Sequence, residues 1–284
     1  MTLAATVDSL LAEARAAGIE RLDAQRLLAH HLAKPRSWLL AHGNEAVADF
    51  DAAAVHSAWA RLARGEPLAH LSGAAEFHGL LLRVNRYVLV PRADTEVLVD
   101  WALELLQCAG PMPTVLDLGT GSGAIALALA HGAPGACLTA VDASPQALAV
   151  ARDNGERLHL PVEWLEGDWW SPLPGRRFDL VVSNPPYIAG GDPHLPALHH
   201  EPTQALTPGG DGLGAIRRIA VDAPAHLLPG AWLLLEHGYD QADNVRSILG
   251  AAGLVDIASR RDLAGHWRCT GGRLPTDAGA ETAS

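Results

Sequence analysis

The chain has 284 residues, 49% hydrophobic content and a formal net charge of -11, enough length and apolar content for one large domain with a small one beside it. Three cysteines, Cys108, Cys137 and Cys269, lie far apart, which argues against a disulfide framework or a thiolate zinc site and fits a reducing cytoplasm. Residues 1–75 carry 7 Lys+Arg against 8 Asp+Glu, and the remainder 14 against 24, so the larger part is acidic and poorly suited to a long phosphate backbone. No direct nucleic-acid partner is therefore expected. No basic start followed by a long apolar run opens the sequence, and no run of about 18 uncharged apolar residues occurs; neither an export signal nor a membrane span is expected.

In chain order, helical spacing comes first. Apolar residues recur at Val7, Leu10, Leu11 and Ala14, at Leu22, Leu27, Leu28 and Leu32, and at Val55, Trp59 and Leu62. Gly18, Pro35, Gly43 and Gly65 separate them, so a small helical bundle is predicted over 1–73. Phe77, Leu80, Leu82 and Val84 flank His78-Gly79, the pattern of a hairpin that links two domains; the linker is placed at 74–93. A third region, 94–275, starts with a helix over Glu96 to Gln107 and alternates short apolar runs with amphipathic segments. The runs are Thr114 to Leu118, Cys137 to Val141, Val162 to Leu165, Phe178 to Val182, Trp232 to Glu236 and Leu254 to Ala258. Helical segments fall near Ala124 to Ala130, Pro145 to Asn154, Leu213 to His226 and Gln241 to Ala252; Ser144-Pro145 supplies a hydroxyl cap followed by proline at the first helical position. This alternation predicts an α/β domain with a mostly parallel sheet covered on both faces. The small, polar residues 276–284 are expected to be a disordered tail.

Asp117-Leu118-Gly119-Thr120-Gly121-Ser122-Gly123 runs from a buried strand into a glycine-rich turn that opens a helix, which lets a ligand approach the backbone. Asp142 closes the next run, where a carboxylate can accept both hydroxyl protons of a ribose. Asp168 follows the third run, where the same cleft would meet an adenine. Gly119-x-Gly121-x-x-Ala124 also satisfies a dinucleotide pattern, so the loop by itself serves a nicotinamide enzyme or a methyltransferase equally. Two features favour the second: Asp117 would repel a pyrophosphate but attract a methionyl ammonium, and no Lys or Arg lies between Asp117 and Asp142 to offset phosphates.

Ser183-Asn184-Pro185-Pro186-Tyr187 follows a buried run and so projects from the carboxyl edge of the sheet, where open α/β folds bind their ligands. An amide nitrogen is a weak nucleophile because its lone pair is delocalised into the carbonyl, and an acceptor site must hold the NH2 so that the lone pair can turn toward a methyl carbon. Asn184 offers a side-chain carbonyl and Pro185 a main-chain carbonyl, neither proline brings a competing N–H, and Tyr187 offers a flat face. Such a site suits a planar acceptor that bears NH2, and its catalysis is chiefly positioning. The same chemistry admits an amino methyltransferase acting on adenine or cytosine, and the cofactor loop alone admits a noncatalytic binding module.

These residues resemble the release factor glutamine methyltransferases. The resemblance rests on Arg64-Gly65-Glu66-Pro67-Leu68 with Gly73, Phe77, Pro91-Arg92-Ala93-Asp94-Thr95-Glu96, Asp117 to Gly123, Ser183 to Tyr187, Glu201-Pro202, Ala205-Leu206, Gly210 to Leu213, and Glu236 with Gly238 and Gln241. It implies a helical amino-terminal domain that docks a release factor, a hairpin linker and a seven-stranded, Rossmann-like methyltransferase domain. S-adenosylmethionine is then the cofactor, held by Asp117, Gly119, Thr120, Gly121, Ser122, Gly123, Asp142, Asp168, Trp169 and Asn184. Asn184, Pro185, Pro186 and Tyr187 become the pocket for the glutamine of a Gly-Gly-Gln loop, with Asn184, Pro185 and Tyr187 as the catalytic set. Ala93-Asp94, His70 and His237 depart from the family pattern, which usually has Pro-Glu, Tyr and an apolar residue there.

Other residues carry two readings. Arg92 and Glu96 either bind substrate backbone or form a salt bridge at a helix start. Glu201 either orients the substrate pocket or is a surface carboxylate. One of Trp169 and Trp170 walls the adenine site while the other is core. His199-His200 suggests a metal, but neighbours in an extended segment point apart, and no metal is expected.

Overall fold

In the computed structural model, which describes residues 5–276, the chain divides into two compact units, residues 1–74 and 75–284. The first unit is helical. Helices α1 (Val7–Ala16), α2 (Arg21–His31), α3 (Arg36–Ala41), α4 (Asp49–Leu62) and α5 (Leu68–Ser72) enclose Val7, Leu10, Leu27, Leu28, Leu39, Val55 and Trp59. Thr6 and Ser9 close a reciprocal capping box on α1, which satisfies donors that a helix start leaves open. The spacing of apolar residues had located α1, α2 and α4. Helices α3 and α5, of 6 and 5 residues, are too short to carry a readable period.

Strands β1 (Ala74–Phe77) and β2 (Leu80–Arg83) pair as a hairpin. Its two turn residues, His78 and Gly79, both have positive φ (47° and 75°), the arrangement that follows the twist of paired strands. The hairpin is tied down by its own backbone: His78 N–H donates to Glu96 Oε1 at 2.9 Å, and Arg83 exchanges two hydrogen bonds with the Asn154 amide at 2.7 and 2.9 Å.

The rest of the second unit contains α6 (Glu96–Gln107), β3 (Thr114–Leu118), α7 (Ala124–Gly132), β4 (Cys137–Asp142), α8 (Pro145–Leu158), β5 (Glu163–Glu166), β6 (Phe178–Ser183), α9 (Thr203–Leu206), α10 (Gly214–His226), β7 (Leu227–Glu236), α11 (Ala242–Ala251), β8 (Val255–Arg261) and β9 (Trp267–Arg273). Seven of these strands form one sheet in the order β5-β4-β3-β6-β7-β9-β8, parallel from β5 to β7, with β9 antiparallel to both neighbours. Alternation along the strands fills both faces. Val115, Leu180, Val182 and Leu234 pack under α6 and α7, while Leu116, Leu118, Val181, Leu233 and Leu235 pack under α10 and α11.

Strand β9 escaped the sequence reading because its buried residues are Cys269, Thr270, Gly271 and Gly272, not a β-branched or aromatic run. The register explains them: a Cβ on Gly271 would lie 2.4 Å from Leu234 Cδ2. The expected disordered tail lies outside the described residues from 277 onward. Among the described residues no helix is long and apolar enough to cross a membrane.

Strand β3 carries one charged residue into the core. Asp117 is fully buried, with Oδ2 accepting from Thr120 Oγ1 at 2.6 Å and from Ala126 N–H at 3.2 Å, while Oδ1 is buried with no partner. Those two bonds fasten the strand, the turn and α7 together. Burial pushes the carboxyl up to about 7, against the opposing help of Thr120 and Ala126. An acid raised in the folded state favours folding below its unfolded pKa of 3.8, and that contribution drains away as pH climbs toward 7. An Asp117→Asn variant lacks this drain. Its melting temperature relative to the parent protein should therefore improve steadily from about pH 4 to about pH 7 and level off above, as measured by calorimetry across a pH series.

Candidate functional site

The strand order reverses between β3 and β6: β4 and β5 run outward on one side, β7 on the other. At such a switch point the loops beyond the carboxyl ends splay apart and leave a crevice. A cavity of about 470 Å3 opens there, within the range of small-molecule sites. Four of the five parallel strands deliver residues to it. Gly119 comes from the end of β3, Asp142, Ala143 and Ser144 from β4, Gly167, Asp168 and Trp169 from β5, and Asn184 and Pro186 from β6.

The glycine loop is shaped for close approach. Gly119 has φ 74°, and a Cβ there would meet the Trp169 ring at 3.3 Å, so a side chain would be strained and would crowd the cavity wall. Gly121 N–H donates to Asp142 Oδ2 at 2.8 Å, and Ser144 N–H donates to Asp142 Oδ1 at 2.8 Å. Burial raises the Asp142 carboxyl, opposed by those N–H groups. Two carboxylate oxygens have about four acceptor lone pairs between them, so Asp142, in the cavity lining, keeps acceptor capacity beside these bonds. Of the predicted loop residues, Gly119 alone is in the cavity lining; Asp117, Thr120, Gly121, Ser122 and Gly123 stand behind it and shape the turn. Asp117, expected to face a ligand, instead points into the layer between β3 and α7, because alternation puts it on the same face as Val115.

Trp169 and Trp170 take different places. Trp169 lines the cavity with its backbone at φ 51°, while Trp170 is buried and donates its Nε1–H to the Ile219 carbonyl at 3.2 Å. Asp168 lines the cavity and pairs with Arg218 at 2.6 Å, both more than half exposed. Arg218 was not singled out from the sequence; it sits mid-helix in α10, and only the packing of that helix against the sheet brings it to the crevice.

The Asn-Pro-Pro-Tyr segment is held from behind. Asn184 lines the cavity, and its Nδ2 donates to Thr95 Oγ1 at 3.2 Å, leaving Oδ1 unclaimed by Thr95. Pro186 lines the cavity as well, whereas Pro185 and Tyr187 do not. Tyr187 was expected to offer a flat face to a ligand. It is anchored at both ends instead, its hydroxyl donating to Glu236 Oε1 at 3.0 Å and its carbonyl accepting from Gln241 Nε2 at 3.0 Å. The fit is close, since a Cβ on Gly212, at φ 80°, would lie 2.3 Å from that carbonyl oxygen. Burial and the Glu236 charge push the Tyr187 phenol pKa upward, so it stays a donor.

Two readings of Arg92, Glu96 and Glu201 need correction. Arg92 pairs with Glu201, not with Glu96, which is occupied by the hairpin turn. Glu201 is no surface carboxylate: it is 5% exposed and also accepts from Val90 N–H at 3.1 Å. A single carboxylate thereby joins two further walls of the cavity, Tyr87 to Leu89 on one side and Pro202, Gln204, Ala205, Thr207 and Pro208 on the other. Neither Arg92 nor Glu201 is itself in the lining. The His199 and His200 rings also differ from expectation. They lie 3.9 Å apart, not splayed, because they end a tight 3-10 turn, Leu195–Leu198, rather than an extended stretch. Among the described residues no three His, Cys, Asp or Glu side chains gather as a metal site.

Comparison with known proteins bears on this geometry. Residues 5–73 match the family model described as PrmC N-terminal domain, and residues 96–218 match Methyltransferase small domain. A release factor glutamine methyltransferase of Bordetella pertussis is 50% identical over 260 residues, covering 90% of this chain and 96% of its own. One from Burkholderia pseudomallei is 48% identical over 270 residues, covering 92% and 94%. Among solved structures, a methyltransferase from Pyrococcus furiosus superposes with TM-score 0.53 at 19% identity, over 69% of this chain and 90% of its own, a likeness of fold. With family models on both units and near half identity over almost its full length, the chain belongs to the release factor glutamine methyltransferase family.

Proposed function

We propose that this protein transfers a methyl group from S-adenosylmethionine to the side-chain amide nitrogen of the glutamine in the Gly-Gly-Gln loop of peptide-chain release factors. The observation that carries the reading is the orientation of Asn184 at the crevice. Its Nδ2 is committed to Thr95, so the oxygen end of its amide is the one left for a partner, and that partner must be a donor. A glutamine NH2 is such a donor.

S-adenosylmethionine supplies, when bound, a methyl carbon activated by its attachment to a sulfonium. The residues present fit that cofactor: Gly119 gives close backbone approach, Asp142 keeps acceptor capacity for ribose hydroxyls, and Trp169 and Asp168 form the wall where an adenine would rest. The glycine loop and Asp117 behind it form the remaining support. Asn184 Oδ1 grips one N–H of the acceptor and the Pro185 carbonyl, whose residue lies between two lining residues without being in the lining itself, takes the other, which turns the nitrogen lone pair away from its own carbonyl. As the N–C bond forms, the methyl carbon would leave its sulfur as a neutral thioether and the acidified nitrogen would lose its proton to water, so a strong base is not needed and positioning supplies most of the rate. Pro186 bounds the acceptor, while Tyr187 holds the segment through Glu236 and Gln241. Arg92 and Glu201 serve the acceptor site indirectly, by latching its walls. The helical unit of residues 1–74 fits the docking role, and the reading carries a cytoplasmic location with it.

Asn184→Ala should lower kcat on a release factor by on the order of 10²-fold or more while leaving cofactor affinity close to that of the parent protein. The check is radiolabel transfer alongside calorimetric titration of the cofactor. Mass spectrometry of the product should show one added methylene on the peptide containing the glutamine; label found in DNA or RNA and absent from the release factor would reject the reading. Asp142→Ala should weaken cofactor binding by about 10- to 100-fold, the loss of hydrogen bonds to a charged acceptor. Glu201→Ala unlatches both cavity walls and should raise KM for cofactor and release factor together, with a smaller change in kcat, in steady-state kinetics.

A further inference from the structure

Thr95 stands just before α6, at the position where a hydroxyl ordinarily caps a helix, yet its side chain makes no cap hydrogen bond. It is 4% exposed. A buried hydroxyl must find partners elsewhere, and Thr95 finds one in Asn184. Its oxygen accepts from Asn184 Nδ2 at 3.2 Å. Its neighbour is Glu236, the last residue of β7, 1% exposed, whose Oε1 accepts from Tyr187 while Oε2 is buried with no hydrogen-bond partner. The Thr95 hydroxyl and the Tyr187 phenol both favour the charged form of this carboxyl.

The logic of donors and acceptors then propagates. A charged carboxylate can only accept, so it draws the rotatable Thr95 proton toward itself. With its proton so engaged, the Thr95 oxygen presents lone pairs toward Asn184, and only the NH2 end of the Asn184 amide can answer. The oxygen end is forced the other way. The two orientations of an asparagine amide are close to isosteric, so shape alone does not choose between them; the hydrogen-bond chain does.

We propose that Thr95, backed by Glu236, is a positioning residue for methyl transfer: it fixes the Asn184 amide with its oxygen toward the acceptor, so that the site admits a group that donates from nitrogen. This rests on the glutamine-methylation reading. Glu236 is surrounded by Tyr187 from the loop after β6, Arg268 and Cys269 from β9, and Asp94 and Thr95 ahead of α6. Burial raises its carboxyl to about 7, with Asp94 adding to the rise and Arg268 opposing it. Protonated, Glu236 can itself donate to Thr95, which frees the Thr95 proton to turn toward Asn184 and releases the amide to flip.

The test uses the full-length protein with a release factor as substrate. Thr95→Val preserves shape and deletes the hydroxyl. It should lower single-turnover rate on the order of tenfold, the worth of one buried hydrogen bond, with cofactor affinity unchanged, and Thr95→Ser should restore most of the rate. The parent protein should also lose rate as pH falls below about 7, and Thr95→Val should show a flattened limb there. Should Thr95→Val fail to fold, Glu236→Gln serves, since an amide can donate to Thr95 and should give the low-pH rate at every pH. A Thr95→Val rate within twofold of the parent, or the same acid limb in both, overturns the proposal while leaving glutamine methylation intact. A parent protein that methylates nucleic acid and no release factor overturns both.

Discussion

A parallel sheet whose strand order reverses must leave a gap beyond its carboxyl ends, and every feature of the site follows from that constraint. The reversal between β3 and β6 sets Gly119 and Asn184 on adjacent strands, in register through Leu118 and Ser183. One of these residues brings bare backbone to the cavity and the other a side-chain amide. Asp142 and Asp168 arrive from the two strands on the β3 side, while Glu236 and Gln241 brace the segment from the β7 side. The crevice is thus a consequence of topology, and the sequence has only to furnish it.

Three buried carboxylates do much of that furnishing, each with a different electrostatic solution. Asp117 ties the glycine loop to α7 and has no cation beside it, so burial lifts its pKa far. Glu236 ties the Asn-Pro-Pro-Tyr segment to β7, with two hydroxyl groups and the Arg268 guanidinium offsetting part of the same penalty. Glu201 joins two cavity walls and has Arg92 directly against it. Burying a carboxylate costs free energy unless it is well paired, and at each of these places the chain accepts the cost where a loop must be held in one position. Rigid placement is what catalysis by orientation requires.

Much of the site was legible because its residues lie in contiguous motifs bounded by strands. The loop from Asp117 to Gly123, the run from Ser183 to Tyr187, and Asp142 at a strand end each read directly as chemistry. What could not be read was which way the side chains face. Asp117 turned inward, Tyr187 was taken up by Glu236 and Gln241, and Arg92 chose Glu201, a residue 109 positions away, over the near neighbour Glu96. Arg218 and Thr95 carry no motif of their own and matter only because packing brings each to the crevice.

The sequence by itself determined the class of fold and the position of the crevice. Hydrophobic periodicity and glycine placement are local properties, and an alternation of buried strands with helices has few ways to close. The tertiary structure decided the partners. The hydrogen bonds and ion pairs that join Thr95 to Asn184, Arg92 to Glu201 and Tyr187 to Glu236 span widely separated parts of the chain, and their directions depend on angles and distances of a few tenths of an ångström that no one-dimensional pattern records. For the same reason β9 was visible only in the sheet, where small residues such as Gly271 are required by the side chains of the neighbouring strand.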